Sequence, residues 1–298
     1  MPADATITTA QAGAPAAPAR RGYWSSVAER LRHDPVTVLF LCVILLAVAA
    51  ALLAPILAPH DPYETSMLNR LKPVGFEEHP LGTDELGRDM LSRLLYGGRV
   101  SIMMGVLPVL LAVAIGGTLG VVAGFLGGLV NTAIMRVMDV FYAFPSVLLA
   151  VAISGTLGGG IASGLVALTL VFIPSLCRVA ETATNQIRSV DFVEAARASG
   201  APTHSIIRAH VIGNVLPPIF IYASSLVSVS ILLSAGLSFL GLGVSPPVAD
   251  WGAMLSSLRQ AVYVQPLVCA LPGIAIFVMS LSFNLVSDGL RHAMDVKA

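Results

Sequence analysis

The chain reads as an all-α integral membrane protein with about six transmembrane helices. Of its 298 residues, 56% are hydrophobic and 11% charged, and the mean hydropathy is +0.83, far from the composition of an ordinary soluble domain. The apolar residues are also gathered into six runs, each long enough as a helix to cross the roughly 30 Å hydrocarbon core. Six crossings put both termini on one side of the bilayer.

The opening "MPADATITTAQAGAPAAPAR" has no apolar period and cannot offset its ordering entropy, so residues 1–34 are expected as a disordered tail and a cytoplasmic lead-in. Residues 36–57, "VTVLFLCVILLAVAAALLAPIL", form the first span, too long for a cleaved signal peptide. An extracytoplasmic segment completes a unit over 35–98, and residues 99–298 form a core of five further spans. These spans are expected at about 100–126, 137–157, 161–180, 216–240 and 267–287, with a polar loop over 185–215 between the fourth and fifth. Lys and Arg favour a cytoplasmic N-terminus: Arg20, Arg21, Arg30, Arg32, Arg136, Arg178, Arg188, Arg197, Arg208, Arg291 and Lys297 then lie inside, against Arg70, Lys72, Arg88, Arg93, Arg99 and Arg259 outside.

Several function classes drop out. With zero net charge and no basic face, a nucleic-acid partner is not expected. Cys42, Cys177 and Cys269 each sit in an apolar run and read as small hydrophobes, with no disulfide or metal site. No cofactor, metal or catalytic residue is expected; His204 and His210 have no nucleophile partner and no metal-ligand spacing. The stretch "GTDELGRD" lacks the spacing of a calcium loop and reads as structural, with Gly82 and Gly87 in turns and Asp84 capping a helix that carries Arg88 and Asp89. Trp251, in "SPPVADWG", is expected at the outer interface. Asp139, Arg178 and Glu181 fall near cytoplasmic span ends, with Asp139 placed to pair with Arg136.

Three patterns stand out. Gly116, Gly120, Gly124 and Gly128 recur every fourth residue, which permits close helix packing in lipid; another helix of this chain is the favoured partner over one from a second subunit. Ser230, Ser234 and Ser238 make a polar face on the fifth span, read equally well as a translocation-path lining or as hydroxyls bonded within and between helices. The polar loop holds "DFVEAARASGAPTHSIIRAHVIGN" over 191–214. There Asp191 is expected to cap a short helix with Glu194 at its third position, Ala195 and Ala196 to propagate it, Gly200 to end it left-handed, and Pro202-Thr203 to start a second helix. Pattern alone leaves open whether this helix docks on another protein or lies on the lipid interface.

"EAARASG" on that loop resembles the EAA loop of binding-protein-dependent ABC importer permeases. "HPLGTDELGRDMLSRLLYGGRVSI" (79–102), "FLGLGVSPPVADWGAML" (239–255) and "FNLVSDGLRHAMD" (283–295) are similar to motifs of the C-type subunit of the dipeptide, oligopeptide and nickel permeases, in order from about residue 35 to the C-terminus. The resemblance departs at Ile212-Gly213, where members commonly carry Leu-Pro before the Asn. It implies the type I ABC importer permease fold, with Asp191, Glu194, Ala195, Ala196 and Gly200 forming a coupling helix seated on an ATPase. It further implies a bacterial inner-membrane location, a homologous B-type permease partner, two cytoplasmic ATP-binding subunits and an extracytoplasmic solute-binding protein. The chain itself carries no G-x-x-x-x-G-K-[ST] and only Lys72 and Lys297 as lysines, so it is not expected to be the ATPase. Peptides are the expected cargo, with nickel or another small solute as the alternative. An ion-coupled secondary transporter would instead call for internal repeats, broken helices and intramembrane ionisable residues.

Overall fold

Asp34 starts the first long helix. Its Oδ1 accepts from Val36 N at 3.2 Å and its Oδ2 from the Thr37 hydroxyl, while Pro35 sits where a helix has no need of an N–H. The Thr37 hydrogen bond holds the Asp34 carboxyl below the usual carboxylate range. The computed structural model in which this cap is seen describes residues 23–294; the expected disordered stretch before residue 23, with Arg20 and Arg21, and Lys297 lie outside them.

Helix α1 (Tyr23–His33) leads into α2 (Pro35–Leu52). The expected span to residue 57 is interrupted: α2 stops at Leu52 and a separate turn, Ala54–Leu57, contains Pro55, whose missing N–H and ring disfavour an unbroken helix. The freed carbonyls at the end of α2 are taken up from outside. Arg99 Nε donates to Ala51 O at 2.6 Å and Nη2 to Leu52 O at 2.8 Å, placing a cation where the helix dipole is negative. α2 buries only Thr37, Ile44 and Ala51, and its exposed Leu39, Leu45 and Leu46 form a face suited to lipid.

α3 (Met90–Leu126) begins ten residues before the expected span and runs 37 residues, with one wide turn at Val113–Gly117. At about 1.5 Å per residue it is longer than the bilayer is thick, so its length reaches past the hydrocarbon core. Gly127, at φ +66°, ends it.

The third span is the main departure from expectation. Instead of one helix over 137–157 there are two, α4 (Gly128–Tyr142) and α5 (Ser146–Thr156), bent by 88°. Pro145 supplies the cause: it lacks a donor and pushes Phe144 out of the helical region. Counting this pair as one crossing, the described residues make six.

α6 (Ile161–Arg188) runs eight residues past the expected end, then α7 (Asp191–Ala198) follows after two residues. α8 (Thr203–Phe239) takes in both the expected second loop helix and the fifth span, passing through a wide turn at Ile207–Val211. α9 (Trp251–Ser257) and α10 (Pro266–Met294) complete the chain, and no β-strand occurs among the described residues.

Packing fixes the helix directions. Gly116, Gly120 and Gly124 face Ile173, Cys177 and Glu181, so α3 and α6 run parallel, as they must if α4–α5 is a return crossing. Gly105 faces Ile231 while Gly117 faces Ile219, so α8 runs antiparallel to α3. α8 is the centre of the bundle, packed on α10, α3 and α6. By this alternation α1, α7 and the end of α10 share one end of the bundle, and residues 54–89 with α9 occupy the other.

Candidate functional site

The site at the first of these ends is built on α7. Its N-terminus differs from the expected capping box: Val190 holds the cap position, no side chain caps it, and Val193 N and Glu194 N bond Val190 O at 2.9 and 3.2 Å. Asp191 is already the first helical residue, so its carboxylate and that of Glu194 act through the positive helix end instead. The C-terminus is a Schellman turn: Gly200, at φ +78°, donates to Arg197 O at 3.0 Å, and Ala201 N donates to Ala196 O at 3.2 Å. A Cβ at Gly200 would meet nothing within 4 Å, so φ alone calls for glycine.

One residue anchors this helix. Val193 is 0% exposed, with Ala196 half-buried beside it, and Ile206 and Val211 extend the buried strip into α8. Asp191, Phe192, Glu194, Ala195, Arg197, Ala198, Ser199 and Gly200 are exposed. Two edge contacts hold the helix's angle: the Arg197 guanidinium lies 4.9 Å from the Phe125 ring centroid at the end of α3, and the Phe192 and His210 rings stand 6.0 Å apart. The helix is thus pinned along one face and open on the other, with α6, α3 and α8 as its neighbours.

Polar contacts carry this end into the broken span. Glu181 Oε1 accepts from Asn131 Nδ2 at 2.7 Å and Asn185 Nδ2 at 2.6 Å. Asp139 pairs with Arg178 at 2.7 Å, closer than with the expected Arg136 at 3.8 Å, and Arg178 also lies 5.0 Å from the Tyr142 ring. Above this network, where α4 bends into α5, a cavity of about 280 Å³ is lined by aromatic and aliphatic side chains including Tyr142, Phe144, Phe172 and Tyr222, with Ser175 among them.

The serine face is not part of that cavity. Ser230, Ser234 and Ser238 are all buried within the subunit. Ser230 Oγ donates to Met104 O on α3 at 3.1 Å, and Ser238 Oγ accepts from Val244 N at 3.3 Å. Ser230 thus joins α8 to α3 and Ser238 joins α8 to the loop that follows it, the bonded alternative for these two, while Ser234 is buried beside them.

Of the glycines, Gly116, Gly120 and Gly124 abut α6 backbone; a Cβ at Gly116 would lie 2.6 Å from Ile173 O and one at Gly124 2.8 Å from Glu181 O. Gly128 departs from this pattern: it opens α4 at φ +51° with nothing within 4 Å of an added Cβ.

At the opposite end, Gly82 (φ +76°) and Gly87 (φ +75°) do make turns, but Asp89, not Asp84, caps α3, its Oδ2 accepting from Ser92 N at 2.7 Å. Asp84 instead ties the loop, accepting from Leu86 N and Arg88 N at 2.9 Å each and pairing with Arg88 at 2.6 Å and Arg93 at 3.4 Å. Trp251 is buried on Gly97 and Gly98, its Nε1 donating to Leu94 O at 3.0 Å. The fold also gathers one potential ligand atom each from His60, His79 and Asp89 within 4.8 Å of one another, a grouping that the sequence, read as holding no metal site, does not announce. The sequence raises Asp89 only within the calcium-loop reading of "GTDELGRD" and His204 and His210 as its histidines, and positions 60, 79 and 89 follow no local ligand spacing. The aromatic cavity had a signal, Phe141, Tyr142 and Phe144 against Pro145 inside an apolar run.

The comparisons agree with this architecture. The model of the binding-protein-dependent transport system inner membrane component matches residues 116–297, and that of the N-terminal TM domain of oligopeptide transport permease C matches residues 22–73. The di/tripeptide transport system permease protein DppC of Pseudomonas aeruginosa is 40% identical over 280 residues, covering 92% of this chain and 91% of its own. The glutathione transport system permease protein GsiD of Pectobacterium atrosepticum is 38% identical over 274 residues, with coverage of 92% and 91%. Among solved structures, an inward-facing form of the MetNI methionine ABC transporter superposes with a TM-score of 0.56 at 20% identity, over 68% of this chain and 97% of that one, a likeness of fold. The chain belongs to the family of inner-membrane components of binding-protein-dependent transport systems, and is a multi-pass permease of the ABC importer class.

Proposed function

We propose that this chain is one of two homologous permeases of an ATP-driven importer of short peptides, and that α7 is the element through which a separate ATPase drives it. The observation that carries the reading is the form of α7: exposed on one face, anchored by Val193 on the other, and joined through two residues to α6 and through a fixed Schellman turn to α8. Pushing such an element moves both long helices together. The relatives named for di/tripeptides, D,D-dipeptides and glutathione support short peptides as cargo.

On this reading α7 and both termini face the cytoplasm, two ATP-binding subunits seat on α7 and its counterpart in a B-type permease, and a solute-binding protein docks over residues 54–89. Nucleotide-driven closure shifts α7, and the Asp139–Arg178 and Glu181–Asn131 contacts carry the movement from α6 to the bent α4–α5 pair. The aromatic cavity at the bend is the wall that peptide passes, with Tyr and Ser hydroxyls able to bond a backbone without selecting side chains. The chain performs no chemistry of its own.

Co-expression with candidate ATPase subunits tests this. Wild type should co-purify with them and support peptide-stimulated ATP hydrolysis in proteoliposomes; Gly200→Trp, which puts bulk at a position with open space and a φ unsuited to side chains, should lose both. Retention of full stimulation by that variant would contradict the coupling role.

A further inference from the structure

A second site stands at the opposite end of the bundle, independent of the coupling reading. His79 Nδ1 lies 3.0 Å and His60 Nδ1 3.9 Å from the same oxygen, Asp89 Oδ1. The two imidazole centroids are 4.6 Å apart, with the rings tilted by 42°. We propose that His60, His79 and Asp89 bind a divalent first-row transition cation, zinc fitting best, that clamps the outer segment onto the start of α3.

Four observations bear on this. The donor set is two imidazole nitrogens and one carboxylate oxygen, the set that suits zinc with a fourth position left for water or another oxygen. Metal–ligand bonds of about 2.0–2.2 Å place neighbouring tetrahedral ligands roughly 3.3–3.6 Å apart; the two histidine–carboxylate separations bracket that value and no pair of the three exceeds 4.8 Å, so the wider pairs must draw in to close on a metal.

His60 Nδ1 is buried and has no hydrogen-bond partner, although the ring as a whole is about one-third exposed at 35%. An unpaired buried nitrogen costs free energy unless something takes its lone pair or its proton. Asp89, three ångströms from His79, already satisfies His79; a cation between the rings satisfies all three groups at once.

The ligands are also held from behind. Asp89 Oδ2 is fixed by Ser92 N at 2.7 Å, which leaves Oδ1 turned to the histidines, and His60 N donates to Ser92 Oγ at 3.2 Å. Such outer contacts orient first ligands and set affinity. Finally, the ligands border a cavity of about 180 Å³ that is also lined by Asp61, Glu64 and Glu78. Its acidic wall attracts a cation, and it has room for the fourth ligand.

The site would join three separate pieces: the turn after the first span, the loop before Gly82, and the N-cap of α3. It therefore acts as a staple between these pieces, instead of as a reaction centre.

The test uses the full-length chain purified in detergent, stripped with a chelator and titrated with zinc chloride, with metal measured by elemental analysis and unfolding followed by heating. Cobalt(II) replaces zinc in a parallel titration to report tetrahedral N/O coordination by its visible absorption. We expect about one zinc per chain and a rise in melting temperature on adding zinc. His60→Ala and Asp89→Asn should weaken binding at least tenfold and abolish the zinc-dependent rise. Asp89→Asn keeps a capping oxygen for α3, and His60 Nδ1 makes no hydrogen bond that the change to Ala would break, so both variants should remain folded, as circular dichroism would check. Absence of stoichiometric zinc in wild type, or equal zinc binding by wild type and the His60→Ala/His79→Ala double variant, would overturn the proposal.

Discussion

The Arg197 guanidinium lies 4.9 Å from the centre of the Phe125 ring, so a charge on α7 rests on the final turn of α3. This contact closes a triangle between α7, α3 and α6 that would otherwise be held at one corner by Val193. A cation–π contact at an exposed position is worth about 0.5–1 kcal/mol. Arg197→Ala should therefore leave the bundle folded and lower peptide-stimulated ATP hydrolysis several-fold, while basal hydrolysis by the ATPase subunits persists. Measuring both rates for Arg197→Ala and Arg197→Lys separates loss of the contact from loss of charge.

The α3–α6 seam makes a steric prediction. At Gly120 a Cβ would run into the Cys177 carbonyl, which is helix backbone and cannot rotate away. Gly120→Ala should cost about 1–3 kcal/mol of stability, as overpacking does. Gly213 and Gly236, helical and with nothing within 4 Å of an added Cβ, should instead gain up to about 1 kcal/mol on substitution by Ala. Thermal unfolding of the three variants in one detergent checks the opposite signs.

Ser230 separates packing from transport. Its hydroxyl bonds Met104 O at 3.1 Å and is fully buried, so Ser230→Ala should cost about 1 kcal/mol of stability and leave peptide uptake per folded complex unchanged. Tyr222→Ala, in the cavity wall, should show the reverse, lower uptake with a smaller stability change. Uptake normalised to folded protein distinguishes them.

The cap of α2 predicts a pH response. The Thr37 hydroxyl lowers the Asp34 carboxyl below its ordinary value of 3.8, so the ionised form is favoured by the folded state. The stability this cap contributes is then fully present above that ordinary value and is lost as pH falls through the lower folded-state value. Hydrogen exchange at the α1–α2 junction should rise on acidification in wild type and show less dependence on pH in Asp34→Ala.

Much of the fold is legible in the sequence because bilayer crossing depends on run length and composition. The close approach of Gly116, Gly120 and Gly124 follows from a four-residue period, and the left-handed Gly200 from its place after "EAARAS". What is not legible depends on neighbours distant in the chain. Asp84 and Asp89 are equally good caps by residue type; only the folded loop, with Arg88 and Arg93 around Asp84, assigns them. The serines of α8 share a face in any helix, but whether that face meets a path or Met104 depends on where α3 lies. Pro145 marked the bend of the third span locally, yet the apolar run through it outweighed that mark. His60 and His79 come together only because two turns fold back over the start of α3.

The central claim, that α7 is the contact for a separate ATPase, is tested most directly by cross-linking from Ala195, an exposed residue of α7 whose replacement disturbs no buried contact. In a Cys42→Ser background, which removes the exposed native thiol, Ala195→Cys would carry a photoactivatable thiol reagent in membranes containing the whole transporter. The account predicts an adduct between this chain and an ATPase subunit, with a yield that changes on adding ATP. Labelling of the same position by lipid, with no protein adduct under either condition, would contradict it and make α7 a helix of the membrane interface.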